Sequence, residues 1–461
     1  MKIPPVSAYT LKGKLIVLIL RFLLKPLHWL KGKSWQAPPP YFHDDPRHFT
    51  TKDLLFFAYK YYFKSPIKDD ANGAVINFFK NNPPKFTQPE SSKQPINQSH
   101  ITITAAGDLM PYEWIQKRFC SHLWDDIGAD FFSSDITFAN LETPIDTAKP
   151  ASFVPEIMLN DMLFNGSEEM FDIFNGNDIS GKGFDILSTA NNHSLDMGED
   201  GVSKTIEFLK AKNIHFTGTA RSKTGRLNFP IIEKEGIRIA FIAYTYSMNQ
   251  FTNPKDKPYL VNHVQVNQPN IDLTPLKNDI FHAKKVRKAD IVVLSLHYGN
   301  AYQAYPAAHI VENTKRIFEE CGADIILGGH AHNIQPMARY DFTCPITQQA
   351  KQGFVLFSFG DFVAYDIFNW CHLSVYLKLH IKKVFYTEGV STTFLSSVTP
   401  APVYACGVYE SENKRNLRFL DAEKTIKLLE MGEKPDFMTD WHVVELKALM
   451  AFYNAHFALN L

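Results

Sequence analysis

Through its middle, the chain alternates short, continuous apolar runs with longer stretches whose apolar residues fall at helical spacing. Residues 101–106, 184–189, 238–244, 290–296, 324–327 and 354–358 read as strands, and 202–211 as a helix. Strands that are apolar on both faces and separated by helices form a mostly parallel sheet covered on both sides, so the expected class is α/β. Beyond about residue 400 the pattern weakens to two helices, over 423–431 and 442–457, expected to pack as a C-terminal helical cap.

Ahead of residue 101 the pattern changes twice. Residues 1–36 are basic and apolar, with Leu15-Ile16-Val17-Leu18-Ile19-Leu20 extended through Phe22-Leu23-Leu24 and interrupted by Arg21 and Lys25. On a helix, Lys14, Arg21 and Lys25 share one side and leave a wide apolar face, which suits the membrane interface beside anionic headgroups. The run is too short and too charged to predict a transmembrane span, and no small-residue cleavage site follows it. Membrane association through this segment, with the rest of the chain cytoplasmic, is the expectation; the alternative is a helix docked on the body. Residues 37–100 begin with the stiff Pro38-Pro39-Pro40 linker. Two aromatic-rich helical segments follow, over 52–63 and 74–79, too apolar to be left exposed. A polar linker over 81–100 leads into the α/β region, for which we expect bounds of 101–400, followed by a C-terminal extension over 401–461.

Composition narrows the class without naming it. The 461 residues include 48 basic and 48 acidic side chains, so no nucleic-acid partner is expected. Hydrophobic residues at 45% and aromatics at 13% fit a packed globular protein rather than a disordered one. Cys120, Cys321, Cys344, Cys371 and Cys406 are scattered without a CxxC pair, which argues against a disulfide framework and a thiolate metal site.

The chemistry sits where the strands stop. Gly107-Asp108, Asn140-Leu141-Glu142, Asn191-Asn192-His193, His297-Tyr298-Gly299, Gly328-Gly329-His330-Ala331-His332 and Phe359-Gly360-Asp361 follow apolar runs in series. Open α/β sheets place their chemistry at strand carboxyl ends, and Asp, Glu, Asn and His are the ligands of hard-to-borderline divalent ions. Asp108 supplies hard oxygen, Asn192 an amide oxygen, and His297, His330 and His332 imidazole nitrogen; Glu142 has two oxygens with which to bridge ions. Two metals roughly 3.5–4 Å apart would clamp the oxygens of an in-line displacement at phosphorus. His193, if not a ligand, suits protonation of a leaving group. Singly, each residue has a duller reading: Asp108 as a helix cap, Asn191-Asn192 as Asx-turns, each histidine as a hydrogen-bonded strand-end residue. Jointly they point to one shared polar site.

Read as longer blocks, these signatures resemble the CapA family, tied to bacterial poly-γ-glutamate capsule synthesis and export. The blocks are Gly107-Asp108-Leu109-Met110, Asn140-Leu141-Glu142-Thr143-Pro144, Ala190 to Gly198, His297-Tyr298-Gly299, Gly329 to Pro336 and Phe357 to Phe362. The resemblance runs in order over roughly 101–365. It implies the calcineurin-like metallophosphoesterase fold, a four-layer α/β/β/α sandwich, with the N-terminal helical extension and the C-terminal helical cap outside it. It implies Asp108, Glu142 and His332 around one metal, Glu142, Asn192, His297 and His330 around a second, and His193 as the acid. The ions implied are divalent Mn, Fe or Zn; the substrate implied is an anionic polymer or phosphoester; the partners implied are a membrane surface and capsule-synthesis membrane proteins.

Four residues depart from the wider patterns. Met110 stands where phosphoesterases continue Asp-x-His, Glu142 replaces the usual Asp, Ala301 stands where many members carry Glu, and Asp361 replaces a frequent Asn. The function expected is a CapA-like role in surface-polymer biosynthesis or export with a metal-dependent hydrolytic site. The alternatives are a non-catalytic polymer-handling subunit, and a phosphodiesterase or γ-glutamyl amide hydrolase unrelated to capsule.

Overall fold

A computed structural model describes residues 3–36, 44–64, 66, 73–159, 162–176 and 181–458. Among these residues the strands form two sheets, filled in chain order. β1 (Pro95–Leu109), β2 (Ile136–Leu141), β3 (Ile186–Ser188) and β4 (His215–Thr217) lie parallel in the first. The chain then builds the second sheet. It consists of β5 (Ile231–Lys234), β6 (Ile237–Thr245), β7 (Ile291–His297), β8 (Ile325–Gly329), β9 (Ile334–Thr343) and β10 (Ala350–Phe359), in the order β5-β6-β7-β8-β10-β9. β11 (Asp361–Val363) returns to the first sheet beside β1, with Asp108 opposite Asp361. β12 (Leu373–Tyr386), β13 (Ser391–Ser411) and β14 (Lys414–Asp421) extend that sheet antiparallel from the other side of β1.

Alternating burial sets the layers, because successive side chains on a strand point to opposite faces. In β2, Ile136 and Phe138 join the apolar cluster between the sheets, while Ala139 and Leu141 join a second cluster with Trp124, Phe131 and Phe171. Phe138 meets Phe241 of β6 across the interface, with ring centroids 5.9 Å apart. The outer face of the second sheet is covered by the helices Thr274–Phe281 and Ala308–Arg316 through Leu276, Ile280 and Ile310. The result is the four-layer α/β/β/α sandwich expected from the resemblance, with the carboxyl ends of β1, β2, β3, β7 and β8 converging on one edge.

The C-terminal expectation needs correction. β13 runs through residue 400 and β14 follows it, so 401–461 begins as sheet and becomes helical only at Ala422–Glu430 and Asp440–Phe452. Residues 95–100, read as linker, already belong to β1.

Before the sheets lie three helices: α1 (Leu11–Lys31), α2 (Thr51–Tyr62) and α3 (Ala74–Asn81). α2 is closed by a reciprocal capping box between Thr50 and Asp53. Phe56, Tyr59, Tyr61 and Tyr62 are buried while Leu54 and Leu55 stay exposed, and Tyr61 donates to Asp366 at 2.5 Å, tying the helix to the core. α1 docks through Val17 and Leu24, and its start is pinned where the Tyr9 and Thr10 amides donate to Glu156 at 2.6 and 2.9 Å. A second apolar stripe, Leu11, Leu15, Leu18, Phe22 and Trp29, stays exposed. No helix among the described residues is long and apolar enough to cross a membrane. Pro38-Pro39-Pro40 lies outside the described residues.

Candidate metal centre

Close backbone approach builds the edge on which the site stands. A Cβ on Gly107 would lie 2.1 Å from the Gly360 carbonyl oxygen, and one on Gly328 would lie 2.1 Å from that of Phe357. Only glycine fits at either point, and β1, β8 and the turn after β10 are drawn together there. Beyond β8 the chain bends sharply: His330 has φ 84° and His332 φ 59°. Each left-handed non-glycine residue costs about 1–3 kcal/mol and persists where its surroundings hold it in place.

Asp108 is fully buried at the end of β1. Its Oδ1 accepts from Asn140 Nδ2 at 2.8 Å, and its Oδ2 accepts from the His330 amide at 3.1 Å. Asn191 braces this arrangement by donating to the Leu141 carbonyl at 2.7 Å, which fixes the turn into Glu142. His297 at the end of β7 has Nε2 at 2.8 Å from Asn192 Oδ1 and 3.4 Å from Glu142 Oε1. His332 Nδ1 lies 2.8 Å from Asp361 Oδ1, leaving its other nitrogen for a different partner.

Among the described residues there are two sets whose donor atoms all lie within 4.8 Å of one another inside the set: Asp108, Glu142 and His297, and Asp108, His332 and Asp361. The atoms in common therefore belong to Asp108, whereas the resemblance made Glu142 the bridge. Asp361, outside the ligand set drawn from the sequence, takes the place beside Asp108 and His332 that the resemblance gave to Glu142. Met110, two residues after Asp108, turns into the apolar cluster behind the sheet and contributes nothing to the site. Asn192 and His330 stand at the margin, in contact with His297; the His297 and His330 rings are 5.0 Å apart. His193 is set back: its Nδ1 lies 2.7 Å from Asp196 Oδ2, and its ring stacks on Phe164 at 4.0 Å.

Whether these residues fit a cation is tested by their unmet demands. Both Glu142 oxygens, His330 Nδ1 and Asp361 Oδ2 are buried with no hydrogen-bond partner. An unpaired buried polar atom costs about 1–3 kcal/mol, and more for a charged group. Burial, then Glu142 and Asp361, push Asp108 well above the usual carboxylate range. Burial likewise raises Asp361 to about 6. Burial alone would lower His332, but Asp361, with Glu142 and Asp108, lifts it to about 10. Burial would raise Glu142, but His297 first, then His332 and His193, hold it at about 2. Crowded carboxylates and free imidazole nitrogen are the environment a divalent cation relieves. The residues fit a metal.

One residue came from an unexpected direction. Asp44, just before α2, is buried beside the site: Oδ2 accepts from the Ala301 amide at 2.5 Å and faces the buried Lys60 ammonium at 3.7 Å. No signal near Asp44 in the sequence marks it, because its partners lie far along the chain. A cavity of about 550 Å³ lies elsewhere, beside β4 among Lys210, His215, Arg221 and Arg226, and none of the metal-centre residues lines it.

Comparison with known proteins places this arrangement. The family described as "Bacterial capsule synthesis protein PGA_cap" matches residues 102–366. The capsule biosynthesis protein CapA of Bacillus anthracis is 24% identical over 272 residues, 57% of this chain and 59% of that protein. The PGA biosynthesis protein CapA of Bacillus subtilis is 25% identical over 314 residues, 66% of this chain and 74% of that protein. A hypothetical protein from Thermus thermophilus superposes with a TM-score of 0.35 at 13% identity, covering 66% of this chain and 98% of that one. A purple acid phosphatase from yellow lupin seeds gives a TM-score of 0.29 at 11% identity, covering 66% and 55%. The family match spans more than half of the chain and takes in every strand-end residue from Asp108 to Asp361, so the protein belongs to the bacterial capsule synthesis family PGA_cap, within the metallophosphoesterase-like superfamily.

Proposed function

We propose that the protein acts in the synthesis or export of an anionic surface polymer of the poly-γ-glutamate type, through a metal-dependent hydrolytic site of the phosphoesterase kind. The observation that carries this reading is the set of buried, unpaired donor atoms on Glu142, Asp361 and His330 around Asp108. Asp108, Glu142 and His297 would hold one ion and Asp108, His332 and Asp361 the other, with His330 beside them. Mixed oxygen and imidazole nitrogen suits Mn, Fe or Zn. Bound there, such ions supply Lewis acidity and a nucleophile at neutral pH.

The chain's own groups do the rest. Asp196 accepts from His193 Nδ1, which fixes the tautomer and leaves Nε2 to exchange a proton with a leaving group. Phe164 holds the ring flat, and its own amide donates to the same Asp196 oxygen at 2.8 Å. A proton donor so placed contributes about 10²–10⁴-fold. The test is hydrolysis of phosphodiesters and γ-linked glutamyl oligomers by the Mn-loaded protein. His193→Asn should lower turnover by about that factor with metal content unchanged. No hydrolysis of either substrate class by the loaded wild type would refute the enzymatic reading in favour of a polymer-handling subunit.

A location is proposed on separate grounds. The exposed stripe Leu11, Leu15, Leu18, Phe22 and Trp29 lies on a helix with Lys12, Lys14, Arg21 and Lys25 and no acidic residue, a composition that favours an anionic membrane surface. Phe22→Glu should abolish co-sedimentation with anionic vesicles; unchanged co-sedimentation would remove this location.

A further inference from the structure

His330 is the one imidazole of the cluster whose buried Nδ1 has no hydrogen bond, and its outer nitrogen shows why. Nε2 lies 2.9 Å from the Tyr246 hydroxyl at the end of β6. That hydroxyl also lies 2.6 Å from the Asp44 backbone carbonyl. A carbonyl only accepts, so the single tyrosine proton goes to Asp44. Toward His330 the tyrosine oxygen is then an acceptor, and Nε2 must carry the hydrogen. In the neutral ring the lone pair is left on Nδ1, which is buried and takes no hydrogen bond. The Asp44 carbonyl is in turn held in place by its own side chain, through the Ala301 amide and Lys60.

We infer that Asp44 and Tyr246 are positioning residues for the metal centre: they set the His330 tautomer so that Nδ1 is available as a ligand. The N-terminal preamble is thereby a working part of the site rather than an appendage. This rests on the metal-centre reading above and deepens it. It assigns His330 a ligand atom, and assigns the metal centre a dependence on a segment that lies outside the matched family region, which begins at residue 102. Metal-ligating histidines are regularly oriented through their second nitrogen, and removing that partner typically costs 10–100-fold in affinity.

The experiment compares the full-length wild type, Tyr246→Phe and His330→Ala by competitive titration with Zn²⁺, with metal-free thermal melts alongside. Tyr246→Phe keeps the ring and removes only the relay, so it should weaken the His330-dependent site about 10–100-fold while the metal-free melt stays close to wild type. Wild-type affinity in Tyr246→Phe, with loss in His330→Ala, would overturn the inference and leave the metal centre standing. Undiminished affinity in His330→Ala would overturn the inference by removing His330 as a ligand, and a wild type that binds no Zn²⁺ would overturn both the inference and the metal centre. A second measurement does not depend on the variant folding: imidazole nitrogen NMR of the metal-free wild type should show His330 protonated on Nε2. Protonation on Nδ1 would overturn the inference.

Discussion

Gly329→Ala should damage the metal centre while sparing the fold. Gly329 ends β8, and its φ lies outside the left-handed region, so alanine meets no backbone objection. The obstacle is spatial: a Cβ there would lie 2.8 Å from Asp108 Oδ1 and 3.3 Å from His297 Nδ1. Ordinary contact is about 3.4 Å or more, so the carboxylate must retreat by about 0.6 Å. Overpacking of this kind costs about 1–3 kcal/mol, which a protein of this size survives. Asp108, however, belongs to both donor sets, so its displacement reaches both ions.

Melting with and without Mn²⁺ separates the two effects. At a concentration 100 times its Kd, a ligand specific for the folded state stabilises it by about 2.7 kcal/mol. A 100-fold weaker site at the same concentration stabilises it by only about 0.4 kcal/mol. Gly329→Ala should therefore lose most of the metal-induced rise in melting temperature. Gly328→Ala is the contrast, because its Cβ would lie 2.1 Å from a backbone oxygen of the neighbouring strand, and it should lower the melt with or without metal. A wild-type metal response in Gly329→Ala would refute the placement of Asp108 at the centre of the site.

Other consequences are independent of that one. Asp324 is buried between Lys284 at 2.8 Å and Lys351 at 2.6 Å, and these ammonium groups hold its carboxyl below the usual range against the opposing effect of burial. A depressed folded pKa gives stability that is present above the ordinary carboxylate value of about 4 and lost as pH falls through the folded value. Asp324→Asn should thus cost about 3–5 kcal/mol at pH 7, with a gap to wild type that narrows in acid; denaturant titrations at both pH values check it. Phe164→Ala removes the ring stacked on His193 and should lower turnover about tenfold at unchanged metal content, measured beside His193→Asn. Tyr61→Phe removes one of the two tyrosine hydroxyls on Asp366, the other being Tyr112 at 2.7 Å, and should cost about 1–2 kcal/mol by thermal melting.

What the sequence made legible follows from how locally each feature is encoded. The strand-end signatures carried Asp108, Glu142, Asn192, His297, His330 and His332 because a continuous apolar run followed by polar residues is a local pattern, and topology alone brings the ends together. Asp361 stood in one of those signatures. The sequence shows its carboxylate only as a departure from a frequent Asn, and nothing local marks it as a ligand. β13 was hidden for another reason: Pro400 and Pro402 and a run of half-exposed polar residues suppress the strand signal, and only pairing with β12 and β14 makes it a strand. Asp44 and Tyr246 were illegible, because a contact spanning 202 residues leaves no trace in composition or spacing. Met110 was legible as a departure, but its consequence was not: the space beside Asp108 and His332 is taken by Asp361.

The most direct measurement is the metal content of the purified chain after reconstitution with Mn²⁺, wild type beside Asp108→Asn. Both donor sets meet at Asp108, so the wild type should retain two ions per chain and the variant fewer than one. A wild type that retains none, or an Asp108→Asn chain that keeps both, would contradict the metal centre on which the proposed function stands.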